Sequence, residues 1–592
     1  MTNPLAFYQE NITQYSRQLT QVQQQSLRVA ILRLLFFLAL CAAVYCWISK
    51  DGNLWPALTI VSAVFFVVLV RIAFRLRDKK ALLEKLLFIN TNEAGILQQE
   101  PNRFSDGQQF ATGEGYTSDL DIFGRGSLFQ LLNRTTTEHG TAQLSSLLKE
   151  PLLQPEAIIA QQQAIKILSE QKELRQSITA HGLLHGEKEG NLHDIRAWLS
   201  VPTLLLHRTW VRILRVALPV YNLVALLYYI FADKYQPLAI GVIISWVVIG
   251  AFVKRINSQH LLLGKKQVIL EQYAAILQLF SGVNTGDAVL LKQQKKMAAA
   301  AHRATGKLSS LAGIFDHRLN MLVILFLNSL VMYDIQCMWA LEKWKVDHKE
   351  QFPEWIDCVG TIETLVSFAT FAFNVPDFAY PEIVIPPLSV TATALAHPLI
   401  PANVRVANDV GLGQKEQLVL VTGSNMSGKT TFLRAIGINI VLAQCGAPVC
   451  AQRFQFTPMR VFTSIRVSDS LQEQTSYFMA ELKRLQYIIR RVENEQPSLV
   501  LIDEILRGTN SDDKTHGSEQ FIRKLIQHNC FTLFATHDLA LSRLEEELPG
   551  KISNYCFESV ICNDELIFDY TLQRGVAKNK NASFLMHKME II

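Results

Sequence analysis

The 592-residue sequence indicates an α/β domain at the C-terminus, preceded by an all-α region and two transmembrane helical hairpins. Three observations support this architecture. Apolar strand-like runs that end in glycine or acidic residues follow one another after residue 418. Helix-forming stretches such as 257–279 lie before them, and four long apolar stretches occur as two close pairs. Strands alternating with helices are typical of α/β domains, and long apolar stretches are typical of membrane spans.

The first pair of apolar stretches predicts a transmembrane hairpin over residues 29–74. Residues 29–48 are about as long as a helix that crosses a bilayer, and Arg33 lies near one end, where its side chain can reach the interface. Residues 54–74 return after a short polar turn. A helix pair buried in a large core is the alternative, but soluble helices seldom stay apolar on every side for this length. Residues 1–28 are then a cytoplasmic N-terminal segment, and residues 75–110 a basic linker.

The second pair, residues 216–231 and 238–253, predicts another hairpin, joined by the turn ADKYQP. This hairpin (216–253) interrupts a helical domain that we place at residues 111–385. A further apolar stretch, Leu319–Met332, is shorter and runs on into charged residues. We therefore expect it to be a buried helix of the helical domain rather than a span.

The distribution of charge predicts the orientation of both hairpins. Each hairpin turn holds a single lysine beside Asp51 or Asp233, whereas many basic residues flank the other ends of the spans. The flanking residues are Arg71, Arg75, Arg77, Lys79, Lys80, Arg208, Arg212, Arg215, Lys254 and Arg255. Because positive charge favours the cytoplasmic side, we expect the turns outside and the rest inside. Nine cysteines without paired metal-type spacing fit reduced thiols. The sequence thus predicts a multi-pass protein of the inner (cytoplasmic) membrane with a cytoplasmic C-terminal domain.

Residues 418–431 read LVLVTGSNMSGKTT, which is a complete phosphate-binding P-loop. A buried strand, a glycine loop and a helix start place backbone N–H groups around a polyphosphate, with Lys429 reaching the terminal phosphates and the Thr430 hydroxyl ligating Mg²⁺. An ordinary strand–turn–helix is the alternative, and the flanking apolar run and helix-forming sequence argue against it. The expected ligands are a nucleoside triphosphate and Mg²⁺. The loop residues predicted to bind nucleotide are Gly423, Ser424, Asn425, Met426, Ser427, Gly428, Lys429, Thr430 and Thr431.

Two later strands carry the remaining candidate catalytic residues. Residues 498–509 read SLVLIDEILRGT, in which Asp503 is the expected metal partner and Glu504 the candidate base for the attacking water. The strand 531–535 leads to His537 at the same sheet edge, where α/β sheets bind ligands. We expect His537 to sense the γ-phosphate; a strand-end residue without chemistry is the alternative.

Four stretches, TGSNMSGKTTFLRAIG, TSYFMAEL, LVLIDEILRGT and FATHD, resemble in order and spacing the ATPase domain of the MutS family of DNA mismatch-repair proteins. That family is a branch of the ABC-type ATPases, in which two subunits sandwich two nucleotides. The resemblance implies a homodimer in which Ser476 completes the nucleotide site of the other subunit. It also implies that residues 386–592 form a MutS-like P-loop ATPase domain.

The resemblance continues upstream. Residues 119–140 and 143–168 look like the opening of the MutS core, or lever, domain, and HPLI at 397–400 with Asn408 and Asp409 looks like its return into the ATPase. In the family this core is interrupted by the segment that clamps DNA. Here the comparable interruption begins with the second hairpin.

The sequence also departs from the family pattern. Arg405 stands where the family commonly has a phenylalanine that stacks on adenine, and its planar guanidinium can stack instead. Leu506 stands where the family has glycine, so we expect the following turn to differ. Ser424, Ser427 and Thr430 also replace family residues but keep the phosphate cradle. Residues 7–10 only superficially resemble the mismatch-contacting motif of a recognition domain, for which the segment before residue 29 has no room.

Two functions remain open at this stage. The first is a membrane-anchored MutS-family ATPase that hydrolyses ATP at composite dimer sites and binds DNA, mismatched or branched, in relation to mismatch repair. The second is an ATP-driven membrane switch that uses the same ATPase without DNA. A transporter is a weaker third, because only four spans are evident. The net charge of +5 is largely explained by the membrane flanks and does not decide DNA binding.

Overall fold

The structure, a computed structural model, describes residues 3–49, 54–113, 115–184, 191–385, 388–413, 416–466, 477–495, 497–506, 509–562 and 565–578. Among these residues, helices fill the region before residue 375 and strands appear only after it. The described α-helices are α1 (Pro4–Ser49), α2 (Leu54–Leu97), α3 (Tyr116–Asp119), α4 (Leu128–Leu132), α5 (Glu138–Lys149), α6 (Pro155–Glu170), α7 (Lys172–Leu184), α8 (Asn191–Ser200), α9 (Thr209–Ala232), α10 (Gln236–Leu263), α11 (Gln267–Ser281), α12 (Val289–Asp316), α13 (Asn328–Val331), α14 (Tyr333–His348), α15 (Phe352–Asn374), α16 (Lys429–Gln444), α17 (Tyr477–Asn494), α18 (Ser511–Leu525) and α19 (Leu544–Glu547). Short 3₁₀ turns occupy Gln108–Phe110, His317–Leu319 and Leu539–Arg543, and a π-helical turn occupies Val323–Leu327.

Local signals mark several helix starts. The side chains of Thr137 and Asn510 accept hydrogen bonds from the backbone N–H groups of Gly140 and Asp513, which caps α5 and α18. Pro155 opens α6, where the missing N–H costs no hydrogen bond. These caps position the first turns of helices that later contribute to the core and to the candidate site.

The described strands form two sheets. They are β1 (Glu382–Ile383), β2 (Val390–Leu395), β3 (Asn408–Leu412), β4 (Leu418–Gly423), β5 (Arg453–Phe456), β6 (Arg460–Ser464), β7 (Ser498–Asp503), β8 (Cys530–Thr536), β9 (Ile552–Cys562) and β10 (Glu565–Arg574). The larger sheet has the order β10-β9-β4-β8-β7-β6 and is parallel except for β10. The smaller sheet has the order β1-β5-β2-β3. The larger sheet brings the carboxyl ends of β4, β7 and β8 side by side.

Both faces of the larger sheet are covered. Alternate residues of the central strands point to opposite sides: Val419 and Leu501 pack in the cluster that contains Ile436 of α16. Leu420 and Val500 pack in the cluster of α17 and α18. Strands buried on both faces read as continuous apolar runs, which is the pattern seen in residues 418–421 and 499–502.

The first pair of apolar stretches forms two long antiparallel helices, α1 and α2, that extend well beyond the expected spans. Residues 4–28 continue into the first span without a break, and residues 75–97, expected to begin a linker, are the end of α2. The side chains of the apolar halves are mostly exposed, including Leu35, Trp47 and Phe65.

The ends of α1 and α2 away from the hairpin turn pack on the helical body through a few buried residues, among them Tyr8 and Glu93. The Tyr8 hydroxyl donates to Asn374 Oδ1 at 2.8 Å, and Asn374 Nδ2 donates to Glu93 Oε2 at 2.7 Å. Glu93 accepts two hydrogen bonds from the guanidinium of Arg134, of 2.6 and 2.9 Å. Burial raises the pKa of Tyr8 far above its ordinary value, so the hydroxyl stays a donor. These contacts fasten the base of the first hairpin to α15.

The second pair forms α9 and α10, whose apolar side chains are also largely exposed. By length and composition, five described helices could cross a membrane: α1, α2, α9, α10 and α15. Most of the apolar window of α15, 78% of it, is buried inside the protein. The bend after α12 would add a sixth if the two helical pieces on either side of it form one span.

Residues 257–279, predicted to be helical, are helical apart from a turn between the end of α10 at Leu263 and the start of α11 at Gln267, in which Lys265 has φ 60°. One expectation about the helical domain is wrong. Leu319–Met332, expected as a buried helix, is a bent and exposed segment that packs on α9 and α10. Composition alone could not distinguish these cases, since an apolar segment can be covered by protein or left uncovered.

Candidate functional site

The loop after β4 is shaped by glycines at close approaches. Gly423 lies against the Phe557 carbonyl oxygen, which would be 2.9 Å from an added Cβ. Gly428 has φ 104° and would bring an added Cβ within 3.0 Å of the Tyr570 ring. A side chain at either position would therefore disturb the loop. The helix α16 starts directly after Gly428, so its N-terminus faces the loop.

Lys429 lies folded over this loop. Its ammonium donates to the carbonyl oxygens of Gly423 and Ser424, at 2.8 and 2.7 Å, and is 3.4 Å from His537 Nε2. The next residue, Thr430, donates its hydroxyl hydrogen bond to Asp503 Oδ2. The structure thus brings the loop lysine, the hydroxyl and the strand-end acid to one place, where the sequence reasoning expects them.

Glu504 follows Asp503 in a strained backbone conformation. Its φ is 53°, in the left-handed region that non-glycine residues seldom adopt, and its N–H donates to Ala535 O at 2.9 Å. Such strain is concentrated at functional sites. One carboxylate oxygen, Oε1, accepts a hydrogen bond of 2.7 Å from Lys514 Nζ on α18.

His537 lies beyond the end of β8, beside the lysine. Burial, and next the positive charge of Lys429, lower its pKa below the ordinary value of 6.5. The imidazole is therefore neutral at pH 7 and has one N–H to donate. A neutral donor near the loop lysine suits contact with a phosphate oxygen.

These groups line a cavity of about 570 Å³. Its walls include residues that the sequence reasoning identified, among them Asn425, Met426, Ser427, Gly428, Lys429, Thr430, Thr431, Arg405, Asp503, Glu504 and His537. Arg405 lies at this cavity with its guanidinium 5.2 Å from the centre of the Phe378 ring. Ser476, by contrast, lies outside the described residues.

Two further polar wall residues were not among the predicted site residues. Tyr570, at φ 55° in an irregularity of β10, faces Gly428. The Asn408 side chain fixes the backbone of β10 here: its Nδ2 donates to Tyr570 O at 3.1 Å, and its Oδ1 accepts a hydrogen bond from Leu572 N at 2.7 Å. His397 also lines the cavity, and burial followed by the charge of Arg434 lowers its pKa to about 4. The only available signal for Tyr570 was an aromatic residue after an Asp in the last strand.

In the turn after Glu504, Leu506 has a left-handed backbone conformation, which leucine seldom adopts. Leu506 has φ 58°, and its N–H donates to Glu481 Oε1 at 2.8 Å. An added Cβ on Gly517 would lie 2.5 Å from the leucine side chain, so Gly517 leaves the room that Leu506 needs. Glu481 belongs to α17, and this hydrogen bond therefore connects the turn after the acids to the helix that follows Ser476.

Two aspartates connect the site to the helical domain. Asp119, which is buried, accepts hydrogen bonds from Thr463 Oγ1 (2.6 Å) and Arg466 N (2.9 Å) at the end of β6. Asp121 accepts hydrogen bonds from Arg434 of α16 (2.9 Å) and from the Arg466 side chain (2.7 Å). The residues before the undescribed segment that contains Ser476 are thus fixed to the same loop as the P-loop helix.

The cavity fits a Mg²⁺-bound nucleoside triphosphate. The Ser427 hydroxyl is buried in the loop and has no hydrogen-bond partner among the described residues, which leaves it available to a phosphate oxygen. Magnesium is usually held by one or two protein oxygen ligands together with phosphates and water, and Thr430 and Asp503 provide such a pair.

A parallel sheet with a glycine loop, its lysine, a threonine hydroxyl and a strand-end acid around one cavity defines a P-loop nucleotide-binding protein. Its family follows from sequence comparison. The pattern of MutS domain V matches residues 419–589, and that of MutS domain III matches residues 112–316. The chain belongs to the MutS family, which confirms the resemblance.

Similar proteins include MutS protein homolog 4 of Mus musculus, 33% identical over 239 residues, and that of Homo sapiens, 32% identical over 239 residues. The similar region covers 38% of this chain and 24% of each relative. The chain therefore matches only about a quarter of the length of these relatives.

Proposed function

We propose that this protein is a membrane-anchored MutS-family ATPase that binds and hydrolyses ATP at composite sites in a homodimer. The observation that carries the proposal is the convergence of Lys429, Thr430, Asp503, Glu504 and His537 on one cavity, in a chain that also exposes the apolar faces of four long helices. MutS domain V at residues 419–589 supports ATP as the nucleotide.

The proposed reaction is attack of water on the γ-phosphorus with departure of ADP. Glu504 accepts the proton of the attacking water, while Lys429 and the neutral His537 donate to the oxygens of the transferred phosphoryl group. Mg²⁺ held by Thr430 and Asp503 would neutralise charge on the phosphates. The helix N-terminus of α16 adds backbone donors for the same oxygens.

The second half of each site is proposed to come from the other subunit, through Ser476. The hydrogen bond from Leu506 N to Glu481 supports this, because it connects the turn beside the catalytic acids to the helix that starts immediately after Ser476. Closure of two subunits on ATP would then change the surroundings of Asp503, Glu504 and the P-loop helix.

The helices α1, α2, α9 and α10 are proposed to anchor the protein in the inner membrane, with the ATPase domain in the cytoplasm. Apolar residues exposed along α9, such as Val216, Leu223 and Ile230, would be unfavourable in water. Basic residues at the body ends of the helices support the orientation.

Two candidates for the partner of the ATPase are each favoured by one observation. DNA, mismatched or branched, is favoured by the match to MutS domain III. A switch that acts on the membrane itself is favoured by the continuity of α10, which runs without a break from its exposed apolar part into the helical body at Leu263.

The test is the steady-state ATPase rate of the full chain purified in detergent, without DNA and with plain, mismatched or branched duplexes. Lys429→Ala, prepared identically, measures contaminating activity. Turnover above that control supports the ATPase, and its absence contradicts it. A change in rate with mismatched or branched DNA but not with plain duplex favours the DNA-directed candidate. A rate that responds to reconstitution into bilayers and to none of the DNAs favours the membrane switch.

A further inference from the structure

Residues 319–331, which we call the bent segment, leave the helical body after α12 and return to it at α14. The helical pieces on either side of the bend, Val289–Leu319 and Ile324–Val331, are turned by 102° relative to one another. Its apolar side chains are exposed: Met321 is 82%, Leu322 65% and Phe326 58% exposed. This is a compact apolar surface that the protein itself leaves uncovered.

The bent segment packs on the second hairpin through polar groups that are turned inward. Asn222, fully buried on α9, donates through Nδ2 to Ser245 Oγ (3.0 Å) and to the carbonyl oxygens of Ser329 (3.0 Å) and Leu330 (3.4 Å). Trp246 Nε1 donates to Ser329 Oγ at 3.0 Å. Backbone carbonyls near the end of a short helix are thus supplied with donors, which hydrocarbon surroundings require.

An ion pair connects the chain just before the bent segment to the chain just after it. Arg318 donates to both carboxylate oxygens of Asp334, at 3.2 Å each, and to Asn257 Oδ1 of α10 at 3.0 Å. The Asn328 side chain accepts the N–H of Asp334 at 2.9 Å. The charged residues that bound the bent segment are therefore paired with each other and buried, and its exposed part carries no charge.

The contacts along α10 give the depth that the bent segment reaches. Trp246 and Asn257 lie about three helical turns apart on the same face of α10, a separation of roughly 16 Å. Asn257 follows Lys254 and Arg255, the basic residues at the body end of the helix, whereas Trp246 lies within its apolar part. The bent segment thus rises along α10 from the level of the basic residues into the apolar level.

We propose that residues 319–331 form a re-entrant membrane segment that enters the acyl-chain region of the body-side leaflet and returns to the same side. The inference rests on the proposed membrane anchoring. The lipid acyl chains are the expected occupant because the exposed surface of the bent segment continues that of α9 and α10, against which it packs. At thirteen residues it is too short to cross a bilayer, which takes about 20 helical residues.

The position of the bent segment can be measured by fluorescence quenching in the full chain. Cys41→Ser and Cys46→Ser remove the two described thiols that are not buried. A bimane label is placed at Leu322→Cys or Phe326→Cys, and the protein is reconstituted in phosphatidylcholine nanodiscs with brominated acyl chains. Leu223→Cys on α9 is the control for the membrane anchor, and Val346→Cys on α14 is the control for water. All four positions are exposed in the structure.

The expected result is bromolipid quenching at residues 322 and 326 comparable to that at residue 223. Iodide quenching should be about tenfold weaker than at residue 346, because ions are excluded from hydrocarbon. Iodide quenching at 322 and 326 equal to that at 346, with residue 223 still quenched by lipid, would overturn the re-entrant segment but leave the anchor intact. Iodide access at residue 223 as well would contradict the anchor itself.

A label at 322 and 326 that neither quencher reaches would also overturn the inference, because it would mean that protein, such as a second copy, covers the surface. Only samples that elute as a single species and bind ATP are scored. If Leu322→Cys does not fold, Met321→Cys provides the same measurement from the most exposed side chain of the bent segment.

Discussion

The ammonium of Lys514 donates a hydrogen bond of 2.7 Å to Oε1 of Glu504, the residue proposed to activate water. Lys514 lies in the first turn of α18, which Asn510 caps, and the next residue, Thr515, donates to Asp538 directly after His537. One helix start therefore holds the acid on one side of the cleft and the backbone beside the histidine on the other. We conclude that α18 positions both groups relative to the P-loop.

We predict that Lys514→Met lowers kcat for ATP hydrolysis about tenfold with little change in KM, because Glu504 loses the contact that orients its carboxylate. Steady-state kinetics measures both parameters, and Lys514→Arg should restore part of the rate. Lys524→Met is the matched control, since Lys524 pairs with Glu493 at 3.3 Å at the far end of the same helix. An unchanged kcat in Lys514→Met would show that the ion pair has no positioning role.

For Glu504→Gln we expect ATP binding to persist while turnover falls about 10²- to 10⁴-fold, the usual contribution of a general base. Lys429→Ala should instead lose binding of the triphosphate, because its ammonium is the cation nearest the loop carbonyls. Nucleotide binding is measured by equilibrium dialysis and turnover by phosphate release. Glu546→Gln, an exposed acid on α19, is the control. Ordinary turnover by the Glu504 variant would remove the proposed base.

The proposed composite site predicts complementation between two inactive variants. Subunits with Lys429→Ala and subunits with Ser476→Ala should each be inactive alone, and mixing them should restore one intact site in each heterodimer. The measurement is ATPase activity after exchange of differently tagged subunits, with dimer formation shown by copurification. No recovery in demonstrably mixed dimers would contradict the sharing of sites.

The proposed topology predicts which introduced cysteines an impermeant thiol reagent reaches in intact cells. Asp51→Cys and Asp233→Cys, in the hairpin turns, should be labelled, and Ser511→Cys, at the start of α18, should be labelled only after lysis. The background carries Cys41→Ser and Cys46→Ser, which removes the described thiols in the first hairpin. Labelling of the Ser511 position in intact cells would invert the orientation.

Tyr8→Phe should lower the stability of the protein by about 1–2 kcal/mol, because it removes the 2.8 Å hydrogen bond to Asn374 inside the buried base of the first hairpin. The midpoint of thermal unfolding in detergent measures the change. Tyr45→Phe, on an exposed part of α1, is the control and should leave the midpoint unchanged. Equal midpoints for all three proteins would mean that this contact does not fasten α1 to the body.

Most of the candidate nucleotide site could be predicted from short sequence motifs. A P-loop, a strand-end acid pair and a strand-end histidine are local patterns, and parallel strands bring their carboxyl ends to one edge whatever the loops between them do. Tyr570 and His397 were not predicted as site residues because they reach the cavity from the last strand and from the loop after β2. Tyr570 lies in no motif, and His397 lies in HPLI, which was read only as the return into the ATPase domain; the folded structure places both on the cavity wall.

The sequence by itself determined the family, the candidate catalytic residues and the apolar stretches, because each of these depends on residue types at short, fixed spacings. Tertiary structure alone decided which apolar stretches are covered. The helix α15 is buried among α5, α6 and α12, whereas residues 319–331, which are also apolar, are left exposed beside α9 and α10. Burial depends on what packs against a segment, and those neighbours come from distant parts of the chain, so composition cannot reveal it.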